Sequence, residues 1–279
     1  MKTAMLGLGS MGGAIAERLC EVADPVLWNR SPSELLDRFP RRRRPTAEEA
    51  ADGADVVITC LTADAAVREV LGSITPVLRP GVVLIDCSTV SPDTARQTAR
   101  ELDERGVYFV DAPVSGGPEA ARRGALTLMC GGSPESFAAA RSALALFGEQ
   151  IMYLGPAGSG QVGKAVNQVI LAGSLLGVAE GVALARRSGI DADQLIAGIQ
   201  RGAAASWVLS NRSDMMLSGD FTPKGRLVLH HKDLLIAQQL ARTVGMTLPG
   251  VDLVTDLESR AIHAGHGDDD VAAIITALD

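Results

Sequence analysis

The order of hydrophobic and polar positions divides the chain into two parts. Through the first 155 residues, short apolar runs alternate with stretches of helical periodicity. This alternation is typical of helical crossovers between parallel strands, so it predicts an α/β domain with a doubly wound sheet. The candidate strands are Ala4–Leu8, Pro25–Asn29, Val56–Leu61, Val82–Cys87, Val107–Ala112, Leu126–Cys130 and Ile151–Leu154.

Capping residues mark several predicted helix starts in this first part. Ser31-Pro32, Ser91-Pro92 and Ser133-Pro134 each place a hydroxyl before a proline, with a carboxylate in the following turn. Gly106 is expected to end the helix that begins after Ser91.

Beyond the glycine-rich segment 155–160 the strand pattern stops, and the rest of the chain reads as helix. We therefore expect a first domain over residues 1–160 and an all-helical second domain over 161–279. Val162–Arg187 reads as one helix of about 39 Å, apolar nearly all round, which joins the two domains. Such a helix needs cover on every side, and we expect a second subunit to provide part of it.

Composition narrows the class of protein. The 279 residues carry 26 Lys and Arg against 33 Asp and Glu, a net charge of −7, so no overall basic field exists to bind nucleic acid or an anionic membrane. The four cysteines, Cys20, Cys60, Cys87 and Cys130, form no C-x-x-C pair and are expected as reduced core residues in the cytoplasm.

No membrane or secretory segment is expected. Lys2 and Thr3 lead directly into a short apolar run, without the longer core of a signal peptide. The longest apolar stretch, Val166–Ala185, is interrupted by Asn167, Gln168 and Glu180, which favours a buried helix of a soluble protein.

The first predicted strand ends in Gly7-Leu8-Gly9-Ser10-Met11-Gly12, and a helix follows at once. This G-x-G-x-x-G spacing, between a strand and a helix, predicts a dinucleotide site. Gly7 permits a tight turn, Gly9 lets a pyrophosphate approach the backbone, and Gly12 allows close packing of helix and strand.

The end of the second strand bears on which dinucleotide is bound. An acidic residue there would bind the ribose hydroxyls of NAD, but the chain reads Asn29-Arg30-Ser31. A guanidinium and a hydroxyl suit a 2′-phosphate. We therefore expect NADP, with NAD as the alternative.

Two further features point to chemistry on a carboxylate. Ser115-Gly116-Gly117 follows the fifth candidate strand and offers a hydroxyl and unobstructed N–H groups, a backbone nest suited to an anion. Lys164 begins the long apolar helix, with Asn167 and Gln168 one turn further on the same face. A desolvated lysine can act as an acid or a base, because burial lowers the pKa of an amine.

Other polar clusters favour ordinary surface roles. The block Arg41–Arg44 is interpreted as a solvated turn before the third strand. His263 and His266 precede Asp268, Asp269 and Asp270, but without a third ligand on a defined face we expect a solvated turn and no metal site.

Five segments together resemble the β-hydroxyacid dehydrogenase family, which includes 3-hydroxyisobutyrate dehydrogenase and tartronate semialdehyde reductase. They are GLGSMG at 7–12, DCST at 86–89, DAPVSGG at 111–117, GSGQVGKAVNQ at 158–168 and HKDLLIA at 231–237, and they span nearly the whole chain. The resemblance implies a Rossmann domain, an all-α second domain joined to it by a long helix, and a homodimer or homotetramer.

The resemblance also implies roles for particular residues. Lys164 matches the family's catalytic lysine, and Ser115, Gly116 and Gly117 match its substrate-carboxylate loop. Substrate-binding positions are also matched by Asn167, Gln168 and Trp207. Cofactor-binding positions are matched by Leu61, Thr62, Thr89 and Lys232.

Two positions depart from the family pattern. Thr62 stands where a proline is usual, and Gly225 replaces an aromatic residue that usually follows Pro223 by two positions. The missing ring is expected to enlarge the substrate pocket.

The function implied is oxidation of a short 3-hydroxy acid to its semialdehyde, or the reverse, with a nicotinamide cofactor, without a metal and with Lys164 as general acid or base. Pocket shape decides which acid, and the motifs leave it open. An imine reductase of the same fold and a non-catalytic NADP-binding interaction module are the alternatives. Both usually lack the lysine that this chain has at position 164.

Overall fold

The computed structural model describes residues 1–278, and it divides the chain into two compact units, Met1–Lys164 and Ala165–Asp279. The division falls inside one long helix, slightly beyond the boundary expected near residue 160.

Within the described chain, unit 1 holds one eight-stranded sheet in the order β2-β1-β3-β4-β5-β7-β6, with β8 paired to β7. The strands are β1 (Thr3–Leu6), β2 (Val26–Trp28), β3 (Val56–Thr59), β4 (Val83–Asp86), β5 (Tyr108–Asp111), β6 (Val114–Ser115), β7 (Leu126–Gly132) and β8 (Gly148–Gly155). All seven candidate strands are present, with ends displaced by a few residues. The short strand β6 was not predicted.

The doubly wound sheet is confirmed, and it is mixed rather than wholly parallel. Strands β1 to β5 pair in parallel, but β7 runs antiparallel to both β5 and β6. A crossover between parallel strands needs about a dozen residues or more. Only residues 116–125 separate β6 from β7. The chain therefore turns back on itself at the loop that carries Gly116 and Gly117.

Helices cover both faces of this sheet. They are α1 (Ser10–Val22), α2 (Glu34–Arg38), α3 (Ala47–Ala51), α4 (Asp64–Ile74), α5 (Pro92–Asp103), α6 (Gly117–Arg123) and α7 (Pro134–Leu144). Alternate residues of a strand point to opposite faces, and both sets are buried here. Met5, Ile58 and Ile85 belong to one hydrophobic core, whereas Val57 and Leu84 belong to the other.

Two of the three predicted proline starts are confirmed. The hydroxyls of Ser91 and Ser133 cap α5 and α7 by accepting hydrogen bonds from the N–H groups of Thr94 and Ser136. Gly106 lies in the turn just after α5, at φ 67°. The prediction at Ser31-Pro32 was wrong, because α2 begins only at Glu34.

Unit 2 is helical, as predicted. It contains most of α8 (Ser159–Arg187), then α9 (Ala192–Ile199), α10 (Trp207–Ser218), α11 (Leu227–Thr243), α12 (Pro249–Ala261), a π-helical turn (Ile262–His266) and a final 3-10 helix (Val271–Leu278). Its core gathers apolar side chains of all five α-helices, including Leu175, Ile196, Met216, Leu234 and Val254.

The 29-residue α8 is long and apolar enough to cross a membrane by length and composition, which the interrupted stretch in the sequence did not suggest. In unit 2, however, Ala172, Leu175, Ala179 and Val182 of this helix are fully buried in the core. The helix is not covered all round within one chain, since Ile170 and Leu184 are 67% and 69% exposed.

One surface interpretation is confirmed in outline and another needs correction. Arg41 and Arg43 are exposed, in a turn that precedes β3, and the backbone of Arg42 and Arg44 bonds to Leu27 along the outer edge of β2. Asp270 is fully buried rather than solvated. It lies 2.8 Å from Arg212 Nε in a buried ion pair and accepts hydrogen bonds from the N–H groups of Lys224 and Gly225.

Candidate active site

The glycine loop between β1 and α1 has the shape of a phosphate cradle. A Cβ on Gly12 would lie 2.0 Å from the carbonyl oxygen of Gly7, and one on Gly7 (φ 91°) would lie 2.4 Å from that of Cys60. Both positions therefore require glycine. A Cβ on Gly9 would meet nothing within 4 Å, so open space faces the start of α1. A dinucleotide pyrophosphate fits this combination of tight backbone and open space.

The start of α1 can bind an anion. Its N-cap, Gly9, has no side chain to occupy the first N–H groups, which belong to Ser10, Met11 and Gly12, and the first turn carries no acidic residue. Free N–H groups at a helix N-terminus bind phosphate readily. The predicted residue Leu8 is buried, and its N–H donates to Asn29 Oδ1 at 2.8 Å, which fastens the cradle to the end of β2.

Arg30 and Ser31 follow at that strand end, and both are exposed. Asn29 Nδ2 donates to the carbonyl of Ser31 at 3.0 Å and holds this turn. The guanidinium of Arg30 is paired with Glu69 on α4, at 2.7 Å between Nη2 and Oε2.

The loops after β3 and β4 carry Leu61, Thr62 and Thr89. The N–H of Leu61 donates to Ser88 Oγ at 2.8 Å, which joins the two loops. Beneath them, Asp86 Oδ1 accepts from the Thr59 hydroxyl at 2.8 Å and from the Ser88 N–H at 3.1 Å. Burial raises the pKa of Asp86, although these hydrogen bonds oppose the rise.

The loop from Asp111 to Gly117 contains β6 and turns into α6. Ser115 and Gly117 are half-buried and Gly116 is exposed. Gly116 (φ 128°) and Gly117 (φ 76°) have backbone conformations that residues with side chains rarely adopt. A carboxylate oxygen of Glu119 lies 3.5 Å from where a Cβ on Gly117 would be. The loop therefore offers an anion its N–H groups and the Ser115 hydroxyl, with one carboxylate close by.

Lys164 lies in the second turn of α8, and its Nζ donates to the carbonyl of Val114 at 2.9 Å. Val114 directly precedes Ser115. The half-buried amine is thus held against the loop that the sequence assigns to a carboxylate.

Two buried residues for which the sequence predicted no role, Asp111 and Gln161, hold this arrangement in place. Asp111 Oδ1 and Oδ2 accept from the N–H groups of Gly158 and Gln161, at 2.8 and 3.0 Å, so its carboxyl caps the start of α8. The side chain of Gln161 accepts from the N–H of Val90 and donates to the carbonyl of Ser88. Asp111 lies in a quoted motif, but its role depends on contacts about 50 residues away, which spacing does not indicate.

The Asp111 carboxyl has a raised pKa. Burial raises its pKa to about 7, even though the two backbone N–H groups oppose this by favouring the charged form. The cap on α8 therefore changes charge near neutral pH.

In unit 2, the predicted amides take part in a chain of polar contacts. Asn167 Nδ2 donates to Gln168 Oε1 at 2.9 Å, and Gln168 Nε2 donates to Asp233 Oδ2 at 2.8 Å. The other oxygen of Asp233 pairs with Lys232 Nζ at 2.8 Å. Asn167, Gln168 and Lys232, which the sequence assigned to substrate and cofactor, thus form one network through Asp233, a residue that it did not single out.

Trp207 begins α10 and is half-exposed. The guanidinium of Arg212 lies over the Trp207 ring, with its Cζ atom 4.7 Å from the ring centroid. Arg212 in turn pairs with the buried Asp270. Asp270 also fixes Gly225, where a Cβ would meet nothing within 4 Å. Open space therefore surrounds the position at which the family usually has an aromatic ring.

A third buried cluster in unit 2 was also missed. Glu258, fully buried, accepts from His230 Nδ1 at 2.6 Å, and His231 Nδ1 lies 3.7 Å from its other oxygen. Burial alone would raise the pKa of Glu258, but the two histidines outweigh it and hold that pKa below its ordinary value. Among residues 1–278 no group of three or more His, Cys, Asp or Glu is arranged to hold a metal ion.

The mixed Rossmann-type sheet, the glycine cradle and the lysine beside a glycine loop define a nicotinamide-dependent oxidoreductase. Comparison with known proteins agrees. Residues 2–155 match the model for the NAD-binding domain of 6-phosphogluconate dehydrogenase. Residues 158–278 match the model described as NAD-binding of NADP-dependent 3-hydroxyisobutyrate dehydrogenase. The chain belongs to the β-hydroxyacid dehydrogenase family.

Individual relatives match over nearly their whole length. The chain is 30% identical to the 2-hydroxy-3-oxopropionate reductase of Escherichia coli, covering 100% of this chain and 97% of that protein. It is 33% identical to the L-threonate dehydrogenase of Cupriavidus necator, covering 97% and 94%. A crystal structure of a 3-hydroxyisobutyrate dehydrogenase from Salmonella typhimurium superposes with a TM-score of 0.90, at 27% identity and 99% coverage of both chains.

Proposed function

We propose that this enzyme interconverts a short 3-hydroxy acid and its semialdehyde, with Lys164 as the general acid and base. The observation that carries the proposal is the 2.9 Å hydrogen bond from Lys164 Nζ to the carbonyl of Val114. It holds the amine next to Ser115, Gly116 and Gly117, the residues proposed to bind the substrate carboxylate. A 3-hydroxy acid carries its hydroxyl a short distance from that carboxylate, within reach of such an amine.

The proposed chemistry divides between the cofactor and the protein. When bound, the nicotinamide supplies the hydride acceptor or donor. Ser115 and the N–H groups of Gly116 and Gly117 orient the substrate by its carboxylate. Lys164 takes the hydroxyl proton when the alcohol is oxidised, and it returns a proton to the oxygen when the semialdehyde is reduced. The amide of Asn167, held by Gln168, positions the substrate oxygen.

The proposed cofactor is NADP, with the pyrophosphate on Gly9 to Gly12 and the 2′-phosphate at Arg30 and Ser31. The exposed guanidinium at the end of β2 supports this choice, because no acidic residue follows that strand directly. Leu61, Thr62, Thr89 and Lys232 are proposed as further cofactor contacts, and Trp207 as part of the substrate pocket.

We also propose a cytoplasmic homodimer or homotetramer. Val166, Ile170 and Leu184 form an exposed apolar stripe along α8. Beside it, a groove of ≈ 610 Å³ runs between α8, α9 and the start of α10. Cys20, Cys87 and Cys130 form no disulfide within residues 1–278, which suits a reducing compartment. Sedimentation analysis should find an oligomer for the wild type. Leu184→Glu should weaken this oligomer, because it places a charge in the apolar stripe.

Replacement of Lys164 tests the function directly. Lys164→Ala should lower kcat by about 10² to 10⁴ with 3-hydroxy acids or their semialdehydes, since that is the usual contribution of a general acid or base. NADPH binding, followed by its fluorescence, should change little, because the cradle at Gly7 to Gly12 is unaltered.

The assay panel should pair 3-hydroxy acids with cyclic imines, each with NADP and NAD. Full turnover by Lys164→Ala would overturn the assignment of the lysine. Turnover of imines alone would identify an imine reductase, and NADPH binding without turnover of any compound would indicate an interaction module.

A further inference from the structure

The ion pair between Arg30 and Glu69 joins two parts of the chain that border the dinucleotide cradle. Arg30 lies in the turn after β2, and Glu69 lies on α4, which follows β3. Strands β2 and β3 flank β1 on either side, and the cradle lies between β1 and α1. The pair therefore links the elements that follow the two strands flanking β1, at the strand end where the adenosine ribose binds in dinucleotide-binding folds.

Glu69 supplies a chemical group that is missing from the end of β2. In NAD-binding members of this fold class, an acidic residue at that strand end accepts hydrogen bonds from the ribose hydroxyls. Here the carboxylate comes from α4 instead and lies 2.7 Å from the guanidinium. The structure thus brings together a cation suited to a 2′-phosphate and an anion suited to a 2′-hydroxyl.

We propose that Glu69 determines cofactor specificity by competing with the 2′-phosphate of NADP for Arg30. A phosphate that approaches the guanidinium must displace the carboxylate or lie beside it, and two anions at such a distance repel each other. The neutral 2′-hydroxyl of NAD meets no such repulsion. This inference rests on the proposed function. Glu69 makes the preference for NADP weaker than it would be with Arg30 alone.

Solvent limits the size of the effect. The two side chains are 58% and 65% exposed, and pairs of exposed charges are screened by water and salt. Glu69→Gln keeps the length of the side chain but removes its charge. We expect the dissociation constant for NADPH to fall about 3- to 10-fold in low salt, and that for NADH to stay equal or rise slightly.

The experiment is a fluorescence titration of the full-length protein with NADPH and with NADH, at low and high salt, without substrate. Glu21→Gln is the matched control, because it removes one charge from an exposed Glu–Arg pair on α1. In an Arg30→Ala background, Glu69→Gln should no longer improve NADPH binding, since the shared cation is gone.

Selective tightening of NADPH binding that depends on Arg30 and weakens in high salt would support the proposal. An unchanged or weaker affinity for NADPH, or an equal change for both nucleotides, would overturn it while leaving the proposed reaction intact. A wild-type protein that binds neither nucleotide would instead overturn the proposed function, and this inference with it.

Discussion

The two units of this enzyme give their buried carboxyl groups different partners. In unit 1 the partners are uncharged: Asp111 accepts from two N–H groups at the start of α8, and Asp86 accepts from the Thr59 hydroxyl and the Ser88 N–H. In unit 2 the partners include basic side chains, as in the contacts of Glu258 with His230 and of Asp270 with Arg212.

The difference in partners goes with a difference in what these carboxyl groups hold in place. In unit 1, hydrogen bonds to uncharged partners hold loops that border the proposed site. The pairs in unit 2 instead connect separate helices: Glu258 on α12 contacts His230 on α11, and Asp270, just before the final 3-10 helix, pairs with Arg212 on α10. The pKa values of Asp111 and Glu258 also shift in opposite directions, because burial outweighs the backbone hydrogen bonds at Asp111, whereas the contacts with two histidines outweigh burial at Glu258.

The largest expected effect is the pH dependence due to Asp111. Its pKa is raised from 3.8 to about 7 in the folded protein, so the folded state binds more protons than the unfolded state between these values. Its contribution therefore lowers the free energy of unfolding as pH rises from 4 to 7, by on the order of 4 kcal/mol. Urea unfolding at several pH values should find this decrease, and Asp111→Asn should remove it.

The exposed Asp103→Asn is the matched control and should leave the pH profile as it is in the wild type. If Asp111→Asn and the wild type gave parallel profiles, Asp111 would be ionised throughout this range. The contrast between the two carboxyls would then fail.

The contribution of Glu258 to the free energy of unfolding should change with pH in the opposite direction. Because its folded pKa is lowered, its stabilising contribution is present above the ordinary glutamate pKa and is lost as pH falls through the folded value. Glu258→Gln should lower the free energy of unfolding at pH 7 by about 2 to 3 kcal/mol, the usual cost of losing hydrogen bonds to a charged group. The same urea series measures it.

The exposed Asp256→Asn, on the same helix as Glu258, should change stability by less than about 0.5 kcal/mol. A loss for Glu258→Gln that grew toward low pH would contradict the assigned direction of its pKa.

The smallest expected change in stability is in the glycine cradle, where Gly12 is needed for packing and Gly9 for the proposed binding of the cofactor. Gly12→Ala places a Cβ against the backbone of Gly7 and should destabilise the protein by roughly 1 to 3 kcal/mol. Gly9→Ala meets open space, so it should leave the melting temperature nearly unchanged but weaken NADPH binding at least about tenfold, because the methyl group fills the space proposed for the pyrophosphate. Thermal unfolding and NADPH titration of both variants distinguish the two roles. Equal effects on stability would contradict the difference in local space.

Much of unit 1 could be predicted from the sequence, because its signals are local. Short continuous apolar runs identified β1, β3 and β4, which are buried along their whole length, and the capping serines Ser91 and Ser133 fixed two helix starts. The G-x-G-x-x-G turn is read from six consecutive residues. Strand β6 and the antiparallel direction of β7 were missed, since a two-residue strand has no periodicity and pairing direction depends on the length of the connection.

The sequence by itself thus determined the class of fold, the glycine cradle and the lysine at the start of α8. These follow from residue types at short spacing, where backbone geometry decides the outcome. Only the tertiary structure decided what those groups contact. It brought Glu69 to Arg30, Asp111 to the start of α8 and Glu258 between two histidines. Such pairs join residues that are distant along the chain, and their energies depend on burial and distance, which arise only when the elements pack.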